Sequence, residues 1–252
     1  MDLSPLRERL NLSYLRRLLS TSAGRAHVLA QMADAEASGE ARVFDAALAR
    51  VQDPELQRLI GKHRDDEIRH EALFRAQYAR NSTSELRVPP ELRLIDKLDR
   101  ELGSLLSREV VDDQGVLEAY SLLQVLEERA VITFGLFIRA FAEVDQETAG
   151  VFAEVLEDEK RHLKYCVAIA RRYAGSEEQR LAALERARKA EAKSFEENQL
   201  ANMGFTLGHG LMGGLLETLP WRALRLLVQA VHPAPITAAE LLGLRQEAVL
   251  AA

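Results

Sequence analysis

The sequence predicts an all-α protein whose centre is a four-helix bundle of two antiparallel helical hairpins joined by a long crossover. Two observations predict this fold class. Apolar residues recur at the helical period of about 3.6 through four long stretches. The connections between these stretches are short, long and short, which favours antiparallel neighbours across each short turn. Strand-like alternation does not appear in the sequence, so we expect no sheet.

The elements follow from this periodicity and from helix-capping residues. Ser4 and Pro5 predict the start of an N-terminal helix, because Ser is a good N-cap and Pro fits the first turn. We assign residues 1–22 to this helix, 23–175 to the bundle and 176–252 to a helical C-terminal extension. The bundle helices are predicted over residues 23–51, 54–80, 114–142 and from the turn at 143–147 to 173. The crossover, residues 81–113, contains turn residues and a short amphipathic helix at 91–106.

Composition narrows the class of protein. The 252 residues are 47% hydrophobic and 29% charged, which is ordinary for a globular helical chain. The net charge of −6 argues against a nucleic-acid surface, so no nucleic-acid partner is expected. The single cysteine, Cys166, excludes an internal disulfide framework and fits a reducing compartment. The start of the chain lacks a basic segment followed by an apolar run, so we expect a cytoplasmic protein.

A duplicated frame is the strongest signal in the sequence. The pattern Asp-x-Glu, ten residues, Asp-Glu-x-Arg-His occurs at residues 53–70 and again at residues 145–162. Each copy contains a Glu and a His three residues apart, Glu67 with His70 and Glu159 with His162. Residues at this spacing project from the same face of a helix, one turn apart.

These pairs lie in the middle of apolar stripes, where an isolated charge is expensive to bury. A buried carboxylate costs several kcal/mol unless it is paired or bound to a metal. Carboxylates together with imidazoles suit iron or manganese better than a structural zinc site. Glu67, His70, Glu159 and His162 are therefore candidate metal ligands.

A dinuclear site in a bundle also needs a carboxylate from each of the other two helices. In the first helix we prefer Glu40, because its Glu-x-Arg context resembles that of Glu127. Glu36 stays open as the alternative, because its distance along the sequence to Glu67 is closer to the distance from Glu127 to Glu159. In the third helix Glu127 is preferred to Glu128, because the face that carries Glu127 is strongly apolar.

With these ligands the chain resembles the ferritin-like di-iron carboxylate superfamily over about residues 23–173. The helix that carries Glu127 is similar to the ligand helix of bacterial di-iron tRNA hydroxylases, and Gly39-Glu40 is similar to the first ligand motif of the demethoxyubiquinone hydroxylase group. The absence of paired cysteines excludes a two-domain rubrerythrin. The resemblance implies two iron ions, with manganese–iron as a variant, bridged by Glu67 and Glu159. The two histidines and the remaining two glutamates would be terminal ligands.

The function that this resemblance implies is activation of dioxygen or peroxide by an oxygenase, hydroxylase or oxidase, with no catalytic residue beyond the metal ligands. Phe44, Phe134 and Phe137 are expected to line an apolar cavity beside the metals. Two alternatives stay open. One is a ferroxidase or peroxide-scavenging iron protein without an organic substrate, and the other is a non-catalytic metal-binding scaffold recruited by its C-terminal tail.

Several residues next to the candidate ligands could serve either packing or the metal site. His63 lies one turn before Glu67 and is interpreted as an orienting or packing histidine rather than a ligand. Asp66 and Asp158 either orient the ligating histidines or face solvent. Cys166, one turn after His162, is interpreted as a buried, inert thiol.

The C-terminal extension changes character along its length. Residues 176–197 are highly charged and predict a helix that is either a solvated strut or an arm packed on the bundle. Residues 198–216 contain no charged side chain and include Gly-x-x-x-Gly spacings, which let helices approach closely. We expect a homodimer or higher oligomer, or packing on the bundle, through this segment. Contact with a membrane surface through residues 198–230, at the inner face of a membrane, is the alternative.

Overall fold

The computed structural model describes residues 4–38, 40–105, 110 and 112–231. This part of the chain contains α-helices and one short 3₁₀ turn at Pro90–Leu92, with no strand among the described residues, so the all-α prediction is confirmed. The α-helices are α1 Ser4–Leu19, α2 Ser22–Ser38, α3 Glu40–Arg50, α4 Pro54–Asn81, α5 Leu94–Glu101, α6 Asp113–Phe141, α7 Gln146–Tyr173, α8 Glu177–Gly208 and α9 Leu215–Val231.

Helices α4, α6 and α7 match the predicted spans to within a few residues, and helices α2 and α3 occupy the predicted first bundle helix on either side of residue 39. The most extensive contacts join α6 to α7 and α2 to α4, and α4 also packs against α7. A short turn at residues 142–145 connects α6 to α7, whereas α3 and the short turn at residues 51–53 lie between α2 and α4.

The first residue of each duplicated frame is a helix cap. The carboxylate of Asp53 accepts hydrogen bonds from the backbone N–H groups of Glu55 and Leu56, and that of Asp145 accepts one from Thr148. Each cap begins a helix of 28 residues. The ligand glutamate follows fourteen residues later, about 21 Å along the axis at 1.5 Å per residue. The frame therefore sets both Glu-x-x-His pairs at the same depth, in the middle of their helices.

The apolar core is divided by this polar layer. One buried cluster lies towards the start of α4 and the end of α7, and includes Ile60, Tyr120, Cys166 and Ile169. The other lies towards the end of α4 and the start of α7. Its centre is Phe152, whose ring lies with its centroid 5.0–5.4 Å from the centroids of four other phenylalanine rings, at positions 74, 134, 137 and 141.

Helix α8 packs along α6 and α5, so residues 176–197 form the packed arm rather than the solvated strut. This helix is longer than predicted and continues to Gly208. Ser121 and Gln124 of α6 are also buried, so the side of α6 away from Glu127 is not exposed to solvent at these positions. Gly204 of α8 allows a close approach to α9, since a Cβ atom at this position would lie 2.5 Å from Nη2 of Arg225.

The end of the chain is described only in part. Within the described residues, no helix combines the length and apolarity needed to cross a bilayer. The short helix expected after residue 235 lies outside the described residues.

Candidate metal centre

The two Glu-x-x-His pairs meet in the polar layer between α4 and α7. Glu67, His70, Glu159 and His162 are all buried, with His70 and His162 fully excluded from solvent. Within the described part of the chain they belong to two overlapping groups of Glu and His residues that could hold a metal ion, each with four ligand atoms within 4.8 Å of one another. All members are buried except Glu36, which is half-buried.

The first group surrounds His70. Its Nδ1 lies 3.3 Å from Oε1 of Glu159, 3.6 Å from Oε2 of Glu36 and 3.9 Å from Oε2 of Glu67. Helices α2, α4 and α7 thus each contribute a carboxylate to one imidazole nitrogen. The structure therefore brings Glu36 to the centre, whereas the side chain of Glu40 lies outside the described part of the structure.

The second group surrounds His162. Its Nδ1 lies 3.2 Å from Oε1 of Glu67, 3.4 Å from Oε2 of Glu159 and 3.8 Å from Oε1 of Glu127. His63 joins this group, with Nε2 3.0 Å from Oε1 of Glu127 and 3.2 Å from Oε1 of Glu67. Glu67 and Glu159 each face His70 with one oxygen and His162 with the other.

Glu127 and Glu128 have different surroundings. Glu127 is buried in the second group, as the apolar face of α6 indicates. Glu128 points away from the centre: its carboxylate accepts a hydrogen bond from Gln124 at 2.9 Å and lies 3.0 Å from the guanidinium of Arg188 on α8.

Two aspartates hold the outer nitrogens of the histidines across the helix pair. Nε2 of His70 on α4 lies 3.2 Å from Oδ2 of Asp158 on α7, and Nε2 of His162 on α7 lies 3.3 Å from Oδ2 of Asp66 on α4. When each Nε2 carries the ring proton and donates it to a carboxylate, Nδ1 of the same ring is unprotonated. Its lone pair is then directed at the centre. Of the two interpretations of Asp66 and Asp158, the structure supports orientation of the histidines.

Two arginines complete this outer layer. Arg69 and Arg161 both pair with Asp158, and they lie 3.8 Å and 3.4 Å from the carboxylate of Asp66. These charges favour the ionised form of both aspartates, although burial alone would raise the carboxyl pKa values. The pKa values of Asp66 and Asp158 are lowered overall, with hydrogen bonds from Lys62 and the histidines contributing.

The inner carboxylates attract positive charge to the centre. Burial and the neighbouring charge of Glu67 raise the pKa of Glu36 well above its usual value. Burial alone would also raise the pKa of Glu159, yet its close contacts with Glu127 and the histidines lower it to about 2. Burial lowers the pKa values of His70 and His162, but contacts with Glu159 and the other carboxylates raise both overall. The carboxylates thus favour a positive charge at the centre, which a metal cation would supply.

The donor atoms fit a metal ion. Nδ1 of His70, Nδ1 of His162, Oε1 of Glu67 and Oε1 of Glu159 are buried and find no hydrogen-bond partner among the described residues. Ligand atoms about 2.1 Å from one ion lie about 3.0 Å apart at right angles and about 4.2 Å apart when opposite. The distances around His70 and His162, 3.2 Å to 3.9 Å, fall within this range.

A cavity of about 210 Å³ borders the carboxylate side of the centre. Its described lining includes the four glutamates of the two groups but none of the three histidines. Apolar side chains dominate next to the glutamates, including Ala130, Phe134 and Phe137 of α6. Of the phenylalanines expected here, Phe44 packs instead on His63, with ring centroids 4.6 Å apart. The far wall comes from α8, with Phe195, Asn198, Gln199 and Asn202.

Comparison of the chain with models of protein families, with curated proteins and with solved structures found no match. The residues of the centre and of the cavity therefore carry the functional inference alone.

Proposed function

We propose that this chain is a di-iron carboxylate oxidoreductase with a ferritin-like bundle, in which dioxygen or peroxide is activated to oxidise a small organic substrate. A manganese–iron pair is the variant of the same site. The observation that carries the proposal is the pair of buried, overlapping Glu/His groups at the middle of α4 and α7. Oxygen and imidazole donors without a thiolate are the ligands that favour these metals.

The ligand roles follow from the distances. Glu67 and Glu159 each have one oxygen 3.2–3.4 Å from His162 and the other 3.3–3.9 Å from His70, so each would bridge two ions. Glu36 and His70 would complete one ion, and Glu127 and His162 the other. This assignment uses Glu36 in the place for which the sequence favours Glu40.

When bound, the metal pair would supply the redox chemistry with dioxygen or peroxide that amino-acid side chains do not provide. The chain's own residues perform the other tasks. Asp66 and Asp158 fix the histidine rings, so that both lone pairs point inward. Phe134 and Phe137 give the carboxylate side of the centre an apolar border, where the cavity would hold the substrate.

The cavity favours an organic substrate over iron as the substrate. A ferroxidase needs an acidic path for incoming iron, whereas this cavity is largely apolar beside the glutamates. The two arginines in its wall have partners: Arg129 makes a two-point ion pair with Glu191 at 2.8–2.9 Å, and Arg93 lies 3.5 Å from Asp34. A neutral substrate therefore fits best. Since an apolar cavity of about 150 Å³ holds benzene, we expect a substrate with one ring or a short chain.

Metal content tests the proposal directly. The full chain is purified from cells supplied with iron and manganese, beside a Glu67→Ala, Glu159→Ala double variant. The control double variant is Glu55→Ala, Glu157→Ala, which removes exposed glutamates from the same two helices. We expect about two metal ions per chain in the native and control proteins and loss of metal in the ligand variant. Folded native protein without bound iron or manganese would refute the proposal.

A cavity-filling variant separates an oxygenase from a ferroxidase. Ala130→Phe adds a ring to the wall beside the glutamates without changing a ligand. We expect it to retain metal but to lose the oxygen consumption that small aromatic or aliphatic compounds stimulate in the native protein. If no compound stimulates oxygen consumption, and iron oxidation is equal in the native protein and the variant, the organic-substrate proposal fails and the ferroxidase alternative replaces it.

A further inference from the structure

His63 breaks the symmetry of the duplicated frame. It lies on α4 four residues before Glu67, and the residue four positions before Glu159 on α7 is Val155. Both positions are buried, with His63 only 1% exposed. A valine is the ordinary occupant of such a position in the middle of a bundle, whereas a buried imidazole needs a partner for its nitrogens.

The surroundings of Nε2 are those of a ligand. This nitrogen lies 3.0 Å from Oε1 of Glu127 and 3.2 Å from Oε1 of Glu67, and neither contact has hydrogen-bond geometry, so Nε2 finds no hydrogen-bond partner in the described part of the chain. Two atoms bound at right angles to one ion would be about 3.0 Å apart. The nitrogen thus occupies the same kind of position as Nδ1 of His162.

We propose that His63 is a third histidine ligand, bound through Nε2 to the metal position that Glu127 and His162 form; this inference rests on the proposed metal site. That position would have five protein donor atoms, two of them imidazole nitrogens. The position around His70 would have four, of which one is a nitrogen. The two metal positions would then be unequal, with more protein donor atoms around His162 than around His70.

Packing alone does not require a nitrogen at this position. The ring of His63 stacks on that of His162, with centroids 3.8 Å apart, and lies 4.6 Å from the ring of Phe44. A phenylalanine ring makes the same contacts. The His63→Phe variant therefore keeps the ring packing and removes both ring nitrogens, so it loses the donor atom at Nε2 together with the interaction of the imidazole with Cys166.

The experiment counts coordinated histidines with Co²⁺ as the probe. In the proton NMR spectrum of the Co²⁺-loaded full chain, each coordinated imidazole contributes a strongly shifted, solvent-exchangeable N–H signal. We expect three such signals in the native protein and two in His63→Phe. Co²⁺ affinity at one position should fall by at least about tenfold, since losing a ligand costs no less than losing a residue that orients one. The control is His27→Phe, a histidine outside both groups, for which three signals are expected.

The count in the native protein decides the inference even if His63→Phe does not fold. Two exchangeable signals with Co²⁺ bound would overturn the assignment of His63 and leave the proposed metal site intact. A folded native chain that binds no Co²⁺, iron or manganese would overturn both.

Discussion

Replacing Asp158 by asparagine tests whether the outer aspartates govern metal affinity. Asp158 lies on α7 and holds Nε2 of His70 on α4 at 3.2 Å. Asparagine has the same shape but no charge. Its amide either accepts a weaker hydrogen bond from Nε2 or presents its NH₂ group to that nitrogen, which moves the imidazole proton to Nδ1 and blocks coordination.

The magnitude follows from the hydrogen bond that is lost. A bond to a charged acceptor contributes about 1.5–3 kcal/mol and a neutral one about 0.5–1.5 kcal/mol, so the weaker bond costs about 1.4 kcal/mol, or tenfold in affinity. The tautomer change would raise the loss towards about 100-fold. The larger effect should fall on the metal position at His70, because His162 keeps its own hydrogen bond to Asp66.

The assay is competition for Co²⁺ between the full chain and a chelating dye, which resolves a stronger and a weaker binding step. Asp65→Asn is the matched control, since this neighbouring aspartate is exposed and pairs with Arg64. We expect Asp158→Asn to weaken one step by at least tenfold and Asp65→Asn to change neither. Unchanged affinities in a folded Asp158→Asn protein would refute the orienting role.

Three further predictions concern stability. Burial lowers the pKa of His27 to about 4. The folded state should therefore lose about 2 kcal/mol of stability as pH falls from about 6.5 towards 4, a figure reduced for the partial exposure of the ring. Urea unfolding should show this loss in the native protein and not in His27→Gln. Phe152→Ala should cost about 3–5 kcal/mol in the same assay, because it removes the ring at the centre of the phenylalanine cluster; a loss below about 1 kcal/mol would contradict that packing. Glu191→Ala leaves Arg129 unpaired and should cost about 2 kcal/mol by thermal unfolding, whereas Glu185→Ala at an exposed ion pair should cost under about 0.5 kcal/mol.

Local chemistry explains what the sequence predicts well. The spans of α4 and α7 follow from a cap at Asp53 or Asp145 and from an apolar stripe, and both signals lie within the helix itself. The choice of Glu127 over Glu128 also follows from local pattern, because the two residues point to different faces of one helix. Burial of Glu127 agrees with the apolar residues on its face.

The choice between Glu36 and Glu40 could not be made in this way. In the single predicted helix the two residues lie four apart on one face, so the helical period does not separate them. In the structure α2 ends at Ser38 and Glu40 begins α3, and the decision depends on where α2 ends and how far it is offset along α4. That axial offset is a tertiary quantity: one helical turn, about 5.4 Å, decides which carboxylate reaches His70. The likeness of Glu40 to a known motif carries no information on this offset.

His63 shows a second limit of sequence reasoning. Its position on the stripe of Glu67 and His70 is visible in the sequence, but the same spacing fits a packing residue and a ligand equally well. The difference depends on whether Glu127, from α6, comes within reach of its ring nitrogen. A comparison of the two frames offers the available signal, since Val155 stands at the matching position.

The cavity wall formed by α8 bears on how the specificity of the protein could evolve. All residues of α8 are described, and none of them belongs to the two Glu/His groups, yet four of them, at positions 195, 198, 199 and 202, border the cavity. If the proposed function is correct, mutations on this helix would alter which molecules the cavity accepts and would leave the proposed metal ligands unchanged. A library randomised at these four positions would explore new specificities at little risk to metal loading, which makes α8 the natural starting point for directed evolution.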